Sequence, residues 1–587
     1  MLRLRSVQRK QINFLLASLC LLTTIWWIRH TSWDTANVLN DERLTQHSVQ
    51  KHHPLDDVID QARSAQEDRI SQGSTSLNGA AYSYRQRRGR HPPPGFGKWY
   101  TRASSTKSVI VESFFDQIYE DLEPFWGLEP AGIRGALKDW TWTLRIRNGK
   151  VKDIPQGRFR SRTWGEMINW VAADLPDMDI AINPLDEPRI FAPFALINNL
   201  TRVASEQRER MMSLPISQMK SIPTKWPVNT SPAIKRQWIT KGTLWPHILK
   251  TCPSSNENSQ VEPSQTILTH SANWTTSKDI CANHHWAELH GSLIKPATID
   301  ISTELLPIFS AAKLQGSNDI LIPPPAYYTN DKLFTGKGWF GDGKTSTPWH
   351  KKLHGLIWRG KATGGLINDS TVNKSHRQRL VSMLNASEVS AMQDKDFTSW
   401  PNSTGFEGVD RVALADWLQS TTDAAFTDTM CSPKATTKAC HSMFDQFRTS
   451  APLSMKVQYR WKYLPDIDGN SLSGRFRAFL TSNSCVMKAT IFKEWHDHRL
   501  MPWVHFVPLD ITLRDLWSTM AYFLGFAGSP AHDLEGESIA TGGRLWAEKV
   551  LRKEDMLVYV HRVLLEYGRI CDDDRDRLGF TDDLQTG

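Results

Sequence analysis

The chain is poor in cysteine, with seven in 587 residues. No cysteine spacing is that of a zinc ligand set, so a structural zinc module is set aside. A basic run of the density found in nucleic-acid-binding arms is also missing. The net charge of +8 is spread thinly over this length, which points to local anion binding rather than to DNA or RNA partners. The glycine-rich stretch His354–Gly365, "HGLIWRGKATGG", lacks the G-x-x-x-x-G-K-[ST] spacing of a P-loop. No internal repeat is visible, which sets aside repeat architectures.

The length exceeds one core and suits two large domains. Hydrophobic residues make up 40% and charged residues 22%, so most of the chain is expected to be globular. The 24 tryptophans are unusual; aromatic faces can stack on sugars, but most are expected in cores. At the N-terminus, Arg3, Arg5, Arg9 and Lys10 precede the uncharged run Ile12–Ile28, closed by Arg29. At 1.5 Å per residue the run spans roughly 26 Å, enough for a thin ER-type bilayer. The basic flank should stay cytoplasmic, and Trp26-Trp27-Ile28-Arg29 lacks the small residues of a signal cleavage site. The expectation is a single-pass type II protein of the Golgi or ER membrane: a cytoplasmic tail over 1–11, a transmembrane anchor over 12–28, and a lumenal remainder. Sequons at Asn199, Asn229, Asn273, Asn368, Asn373, Asn385 and Asn402 agree with a lumenal location. Cys20 falls in the anchor. Of the other six, Cys252–Cys281 and Cys431–Cys440 each close a polar loop and are the preferred pairs, with the connectivity left open.

Residues 29–88 are polar and aperiodic and read as a lumenal stem. "GRHPPPGFGKWY" at 89–100 opens the first globular part, which is expected to run to 345 with a polar insertion near 251–282. The second half alternates short apolar runs with helical patterns, which is α/β grammar. Leu353–Trp358, Trp461 onward, "CVMKA" at 485–489 and "WVHFVPL" at 503–509 read as strands. Ser375 is positioned to cap a helix bearing Leu380, Met383 and Leu384, and Asp510 or Thr512 to cap "LRDLWSTMAYFL". A second domain is expected over 346–545. The amphipathic tail from 546 needs a docking surface and is expected to pack back on the first domain.

Two loops in the second half share one chemistry. "WRGKATGG" offers Arg359, Gly360, Lys361 and Thr363, and "DIDGNSLSGR" offers Ser471, Ser473 and Arg475. In an open parallel sheet both would lie at the carboxyl edge, where nucleotide phosphates bind, and glycine N–H groups and guanidinium groups suit a diphosphate. The plain alternative is that each arginine pairs with a surface carboxylate. Asp466-Ile467-Asp468 spells the D-x-D of some sugar-transferase metal sites, but such triplets arise by chance in a chain this acidic. His354 and His505 read as hydrogen-bonded structural histidines. In the first half, Ile180-Ala181-Ile182 ends at Asn183-Pro184, with Asp186 and Glu187 in a stiff turn before Pro188. A carboxylate there can serve as a general base or can simply make an Asx turn.

"NPLDEPR", "LIWRGKATGG…HRQRL", "KYLPDIDGNSLSGRFRAFLTSNSCVMK", "MPWVHFVPLD" and "LRKEDMLVYVHRVLLEY" occur in an order that resembles glycosyltransferase family 90. That family includes fungal capsule-associated proteins, β-1,2-xylosyltransferases and animal protein O-glucosyltransferases, and the 89–100 segment is similar to the fungal branch. The resemblance runs from about 89 to 570. It implies a GT-B fold, with two Rossmann-like domains facing one cleft, and an inverting reaction. By position it makes Asp186 the base, Arg359 the arginine of the [WF]-R-G motif, and Ser473 with Arg475 the second donor loop. Residues 184, 185 and 187 depart from the protein O-glucosyltransferase pattern. The donor implied is UDP-xylose or UDP-glucose and the acceptor a glycan or glycoprotein, with no metal assigned and Mn2+ dependence left open. A carbohydrate-binding relative without turnover is the reading from another class; it would be free to lose Asp186, Arg359 or Arg475, and all three are present.

Overall fold

Two five-stranded sheets carry the architecture. In the first, β1 (Thr143–Arg147) and β2 (Lys150–Asp153) form a hairpin through Asn148-Gly149, both at positive φ, the turn chemistry that Asn-Gly favours. β1 runs antiparallel to β3 (Met178–Ile182), which is parallel to β4 (Ile308–Ser310) and then β5 (Ile320–Leu321). The order is β2-β1-β3-β4-β5. The second sheet is wholly parallel. It contains β6 (Leu353–Lys361), β7 (Thr422–Asp428), β8 (Trp461–Ile467), β9 (Cys485–Ala489) and β10 (Val507–Leu509), in the order β10-β9-β8-β6-β7. All five residues of β9 are buried, as befits a strand covered on both faces. Here β6 and β8 are direct neighbours, so the loops that leave their carboxyl ends are neighbours too.

The computed structural model describes residues 52–136, 138–156, 159–221, 236–253, 274–329, 347–368, 371–392, 409–430, 438–447 and 449–584. The expected anchor over 12–28 lies outside these residues, and no helix among the described ones is long and apolar enough to cross a membrane. The chain divides into Met1–Asp57, of which 52–57 are described, and Val58–Gly587, which holds both sheets.

The expected stem differs from what is found. Residues 77–88 form a helix capped by Ser76, whose Oγ accepts the Gly79 N–H at 3.1 Å. Its Ala80, Ala81, Tyr84 and Arg88 are buried; Arg88 pairs with Glu112 at 2.8 Å and Arg85 with Asp583 at 2.7 Å. A helix whose buried face is two alanines and a tyrosine, completed by ion pairs, carries little hydrophobic periodicity, which is why the stretch reads as polar coil. The C-terminal helix Lys553–Ile570 lies against the first sheet's side of the molecule. The Trp99 indole donates to the Val558 carbonyl at 3.1 Å, and Met178 of β3 packs beside Gly568.

Other differences are local. β6 continues past Trp358 to Lys361, so Arg359 sits on a strand end rather than in a loop. Only Val507–Leu509 of "WVHFVPL" is strand, because Trp503 takes a positive φ in the preceding turn. The helix expected after Asp510 or Thr512 starts at Leu516. Asp510 instead accepts the Thr512 N–H at 2.6 Å, and Leu513 turns the chain with φ 64°. Ser375 stands at the cap position of His376–Met383, but its hydroxyl donates to the Thr371 carbonyl. Cys252 and Cys281 are joined in a disulfide, and Cys440 is disulfide-bonded while Cys431 lies outside the described residues. Cys485 and Cys571 are buried free thiols.

Candidate active site

A cavity of about 400 Å³ opens where the carboxyl-end loops of the two sheets meet. Asp186, Arg359, Gly360, Lys361, Thr363, Ser471, Ser473 and Arg475 all line it, together with Arg160, Arg377 and Asn470. The first sheet contributes the turn after β3, Ala311 after β4 and Pro324–Pro325 after β5.

The turn after β3 is fixed by its neighbours. Asn183 Oδ1 accepts the Leu185 N–H at 2.9 Å, and its Nδ2 donates to the Glu187 carbonyl at 2.8 Å. Asn183, not Asp186, therefore makes the Asx bond of this turn. Downstream, the buried Asp319 accepts the N–H groups of Arg189 and Ile190 at 3.0 Å. Asp186 is left free of turn duty, with its side chain 42% exposed. Its Oδ1 takes the Arg160 guanidinium, which also donates to the Leu185 carbonyl, and Oδ2 has no hydrogen bond among the described residues.

Glu187 points elsewhere. It is buried, its carboxylate accepts the Thr298 N–H at 3.2 Å, and it does not line the cavity. Burial, with the neighbouring Asp186 charge adding to it, pushes its carboxyl up to about 7. The folded state thus holds the proton more tightly than the unfolded chain, so the ionisation penalty is absent below about pH 4.5 and complete above about pH 7. Glu187→Gln is expected to stabilise the protein relative to wild type as pH rises through this window, by at most about 3 kcal/mol. Thermal melts at pH 5 and pH 8 check this; an unchanged difference between the two would show that Glu187 ionises freely in the fold.

On the second sheet the cations fall into two groups. Arg359 is buried and paired, its guanidinium donating to the Asp423 carboxylate at 2.6 Å and to the Asp423 carbonyl at 2.8 Å. Lys361 is exposed and lies 3.1 Å from Asp428. Arg377 and Arg475 differ: both are buried, and among the described residues no carboxylate lies within ion-pair distance of either. Arg377 spends its donors on carbonyls of Asp468, Lys361 and Ile467 and on Thr363 Oγ1, at 2.6–3.2 Å. Arg475 donates to the Arg359 carbonyl at 2.6 Å, and its Nη2 has no partner among the described residues. Burial, then the proximity of Arg475, lowers Arg377 to about 9; burial lowers Arg475 as well. Two desolvated cations side by side are costly unless an anion joins them.

The glycine pair of the opening stretch has a different job from the one its composition suggests. Gly364 and Gly365, at φ 110° and 96°, meet the backbone of Gly291, and a Cβ on Gly291 would lie 1.8 Å from the Gly364 carbonyl oxygen. Their N–H groups face Asn470 Oδ1 at 3.2 and 3.4 Å, so they are not turned to a phosphate. Thr363 is likewise occupied by Arg377.

Behind the second loop runs a buried polar chain. Ser473 Oγ donates to Asp466 Oδ1 at 2.5 Å; Lys488 Nζ reaches Asp466 at 3.1 Å and Glu494 at 3.4 Å. Tyr327 Oη lies 3.0 Å from the Ser473 carbonyl and 2.9 Å from Glu494. Burial raises Glu494, but His496 and Lys488 outweigh it and bring the carboxyl down to about 2. Asp468, the other carboxylate of the D-x-D, accepts the Ile491 N–H at 2.9 Å and is pushed by burial up to about 7. Lys488→Met would leave the buried Asp466 without its cation and Glu494 with His496 alone, and is expected to cost about 3–5 kcal/mol by chemical denaturation. A loss below 1 kcal/mol would mean that water enters the chain. His505 stacks on Trp546, and neither it nor His354 lines the cavity.

Arg377, Arg160 and Asn470 were not singled out from the sequence. The available signal for Arg377 was a helix start with two arginines and no acidic residue, "HRQRL", directly downstream of the glycine-rich stretch.

The protein is thus a two-sheet α/β molecule whose sheet edges share a cleft with two buried arginines that have no ion-pair partner among the described residues. Residues 296–575 match the model of glycosyl transferase family 90. The arginines and Ser473 lie inside the matched region; Asp186 and Arg160 lie outside it. The chain is 27% identical over 113 residues to Protein O-glucosyltransferase 2 of Danio rerio, covering 19% of this chain and 21% of the relative. It is 28% identical over 112 residues to Protein O-glucosyltransferase 3 of Rattus norvegicus, covering 19% and 20%. It is 23% identical over 229 residues to Uncharacterized protein 179R of Invertebrate iridescent virus 6, covering 38% and 17%. The chain therefore spans about a fifth of the length of these curated relatives.

Proposed function

We propose that the protein is an inverting, GT-B-like glycosyltransferase that moves a sugar from a UDP-sugar to a glycan hydroxyl. The observation that carries this reading is the pair Arg377 and Arg475, buried at the carboxyl edge of a parallel sheet with no carboxylate in ion-pair distance among the described residues, and lining one cavity with Asp186. The diphosphate of the donor supplies the missing anion, and its charge as a leaving group is taken up by donors already in place. Asp186, whose Oδ2 has no hydrogen bond among the described residues, accepts the proton of the acceptor hydroxyl on the face opposite the departing UDP. Arg160 holds that carboxylate in place. Arg359 and Lys361 add positive potential, and Ser471, Ser473, Gly360 and Thr363 shape the donor wall.

Xylose is the sugar we put first, on the resemblance of 89–100 to the fungal branch. Glucose is the second reading, favoured by the names of the animal relatives. The run 12–28 would anchor the catalytic body in the Golgi or ER lumen, where such acceptors are made. The test is a screen of the purified chain against UDP-xylose, UDP-glucose and other UDP-sugars with glycan acceptors, read as UDP release with and without EDTA. Turnover with one donor supports the reading. Absence of UDP binding and of turnover with every donor sinks it. Loss of turnover in EDTA would add a divalent cation to the donor site.

A further inference from the structure

An aromatic pair that does not line the donor cavity is anchored to the segment that carries the proposed base. Trp140 and Trp238, both half-buried, have ring centroids 5.0 Å apart and planes 32° from each other. Arg189, itself buried, backs the pair, 4.4 Å from the Trp238 ring and 5.1 Å from that of Trp140. It is held from behind by Asp300 at 2.8 Å. The Trp140 indole donates to the Ile182 carbonyl at 3.2 Å, and the Trp142 carbonyl accepts the Ile182 N–H at 2.9 Å. Trp238 is placed by the next residue: Ile239 bridges to Ile301, and the following Ser302 bridges to Ile190.

These contacts fix which edge the pair occupies. Ile182 is the last residue of β3, so Trp140 lies at the carboxyl edge of the first sheet, the edge that carries Asp186. β1 flanks β3 on one side and β4 on the other. The donor cavity takes Ala311 and Pro324 from beyond β4 and β5, while the tryptophans sit on the β1 side. Asp186 belongs to the segment that joins the two residues anchoring the pair, Ile182 and Arg189. Ile182 and Arg189 are four and three residues from it, so the pair is anchored within about 14 Å of the base at full chain extension.

We infer that Trp140 and Trp238 form an acceptor subsite that stacks on the apolar face of a pyranose ring of a glycan, one or two residues away from the hydroxyl that reacts. The inference rests on the transferase reading above and deepens it by naming the acceptor class. Rigid, partly exposed tryptophans backed by a buried cation present large faces at little entropic cost, as ligand sites do.

The test uses the full chain with the donor that turns over, and tetrasaccharides of mannose, glucose and galactose, each beside its methyl glycoside. One tetrasaccharide should accelerate UDP release. Trp238→Ala should lower kcat/KM for it at least tenfold, mainly through KM, while changing the methyl glycoside less than twofold and leaving UDP affinity intact. Trp238→Tyr, which keeps an aromatic face, should recover most of the loss. Equal losses for tetrasaccharide and methyl glycoside, no loss at all, or acceleration by peptides only would overturn the inference and leave the transferase reading standing. If no UDP-sugar turns over, the transferase reading falls and saturation-transfer NMR with the same tetrasaccharides decides: binding lost in Trp238→Ala keeps the aromatic site, and no binding removes it.

Discussion

Asp186→Asn is expected to fold, to bind UDP as tightly as wild type, and to transfer sugar about 10²–10⁴-fold more slowly. The substitution keeps the size of the side chain and an oxygen for Arg160 to donate to, while removing the charge that accepts the proton. The turn should survive it, because Asn183 and Asp319, not Asp186, make its hydrogen bonds. Glu187 is the internal control. It is adjacent in sequence but buried away from the cavity on the Thr298 N–H. Glu187→Gln should therefore keep most activity while changing the pH dependence of stability. Steady-state turnover of both variants, with UDP affinity measured separately, checks the assignment. A dead Glu187→Gln beside an active Asp186→Asn would move the base by one residue. Full activity in both would make the turn structural only.

What the sequence made legible, and what it hid, follows from the physics that marks each element. β9 was readable to the residue because a strand buried on both faces is a short, continuous apolar run. The convergence of the two loops on one edge was readable because parallel strands have only one carboxyl edge. Arg377 was hidden for the opposite reason. It starts a helix in which every residue is buried, so the polar face that normally marks solvent marks an interior of carbonyls and cations. Trp140 and Trp238 were lost among 24 tryptophans, since aromatic composition does not distinguish a core from a platform. The helix Leu77–Arg88 was missed because its buried apolar face is small, Ala80, Ala81 and Tyr84, and arginine–carboxylate pairs complete its docking. The glycine pair was read for phosphate because glycine also serves close backbone approach, and only the contact with Gly291 tells the two uses apart.

The arginines separate by the same logic, and the separation is measurable. Arg359→Ala was the natural first choice for weakening donor binding, yet Arg359 already has its anion in Asp423. Its removal should leave UDP affinity reduced by less than about tenfold, the effect coming through its carbonyl and strand end, which Arg475 grips. Arg475→Ala and Arg377→Ala remove buried cations that no carboxylate among the described residues meets within ion-pair distance, although Asp466 acts on both from further away. Each should weaken UDP by the worth of a charge-assisted bond, about 1.5–3 kcal/mol, or roughly 10–150-fold. The two differ in the apo protein. Arg377 ties the ends of β6 and β8 together through three carbonyls, so its loss should also lower stability. Arg475 makes one such bond and leaves Nη2 unused, so removing a desolvated, half-satisfied cation should cost little or even stabilise the unliganded chain. Calorimetry with UDP and thermal melts without it read both halves. The expected signature is a ligand-dependent rise in Tm in the wild type that is small in both variants, with a lower apo Tm in Arg377→Ala only. Unchanged UDP affinity in both variants would place the diphosphate outside this cavity and take the donor site with it.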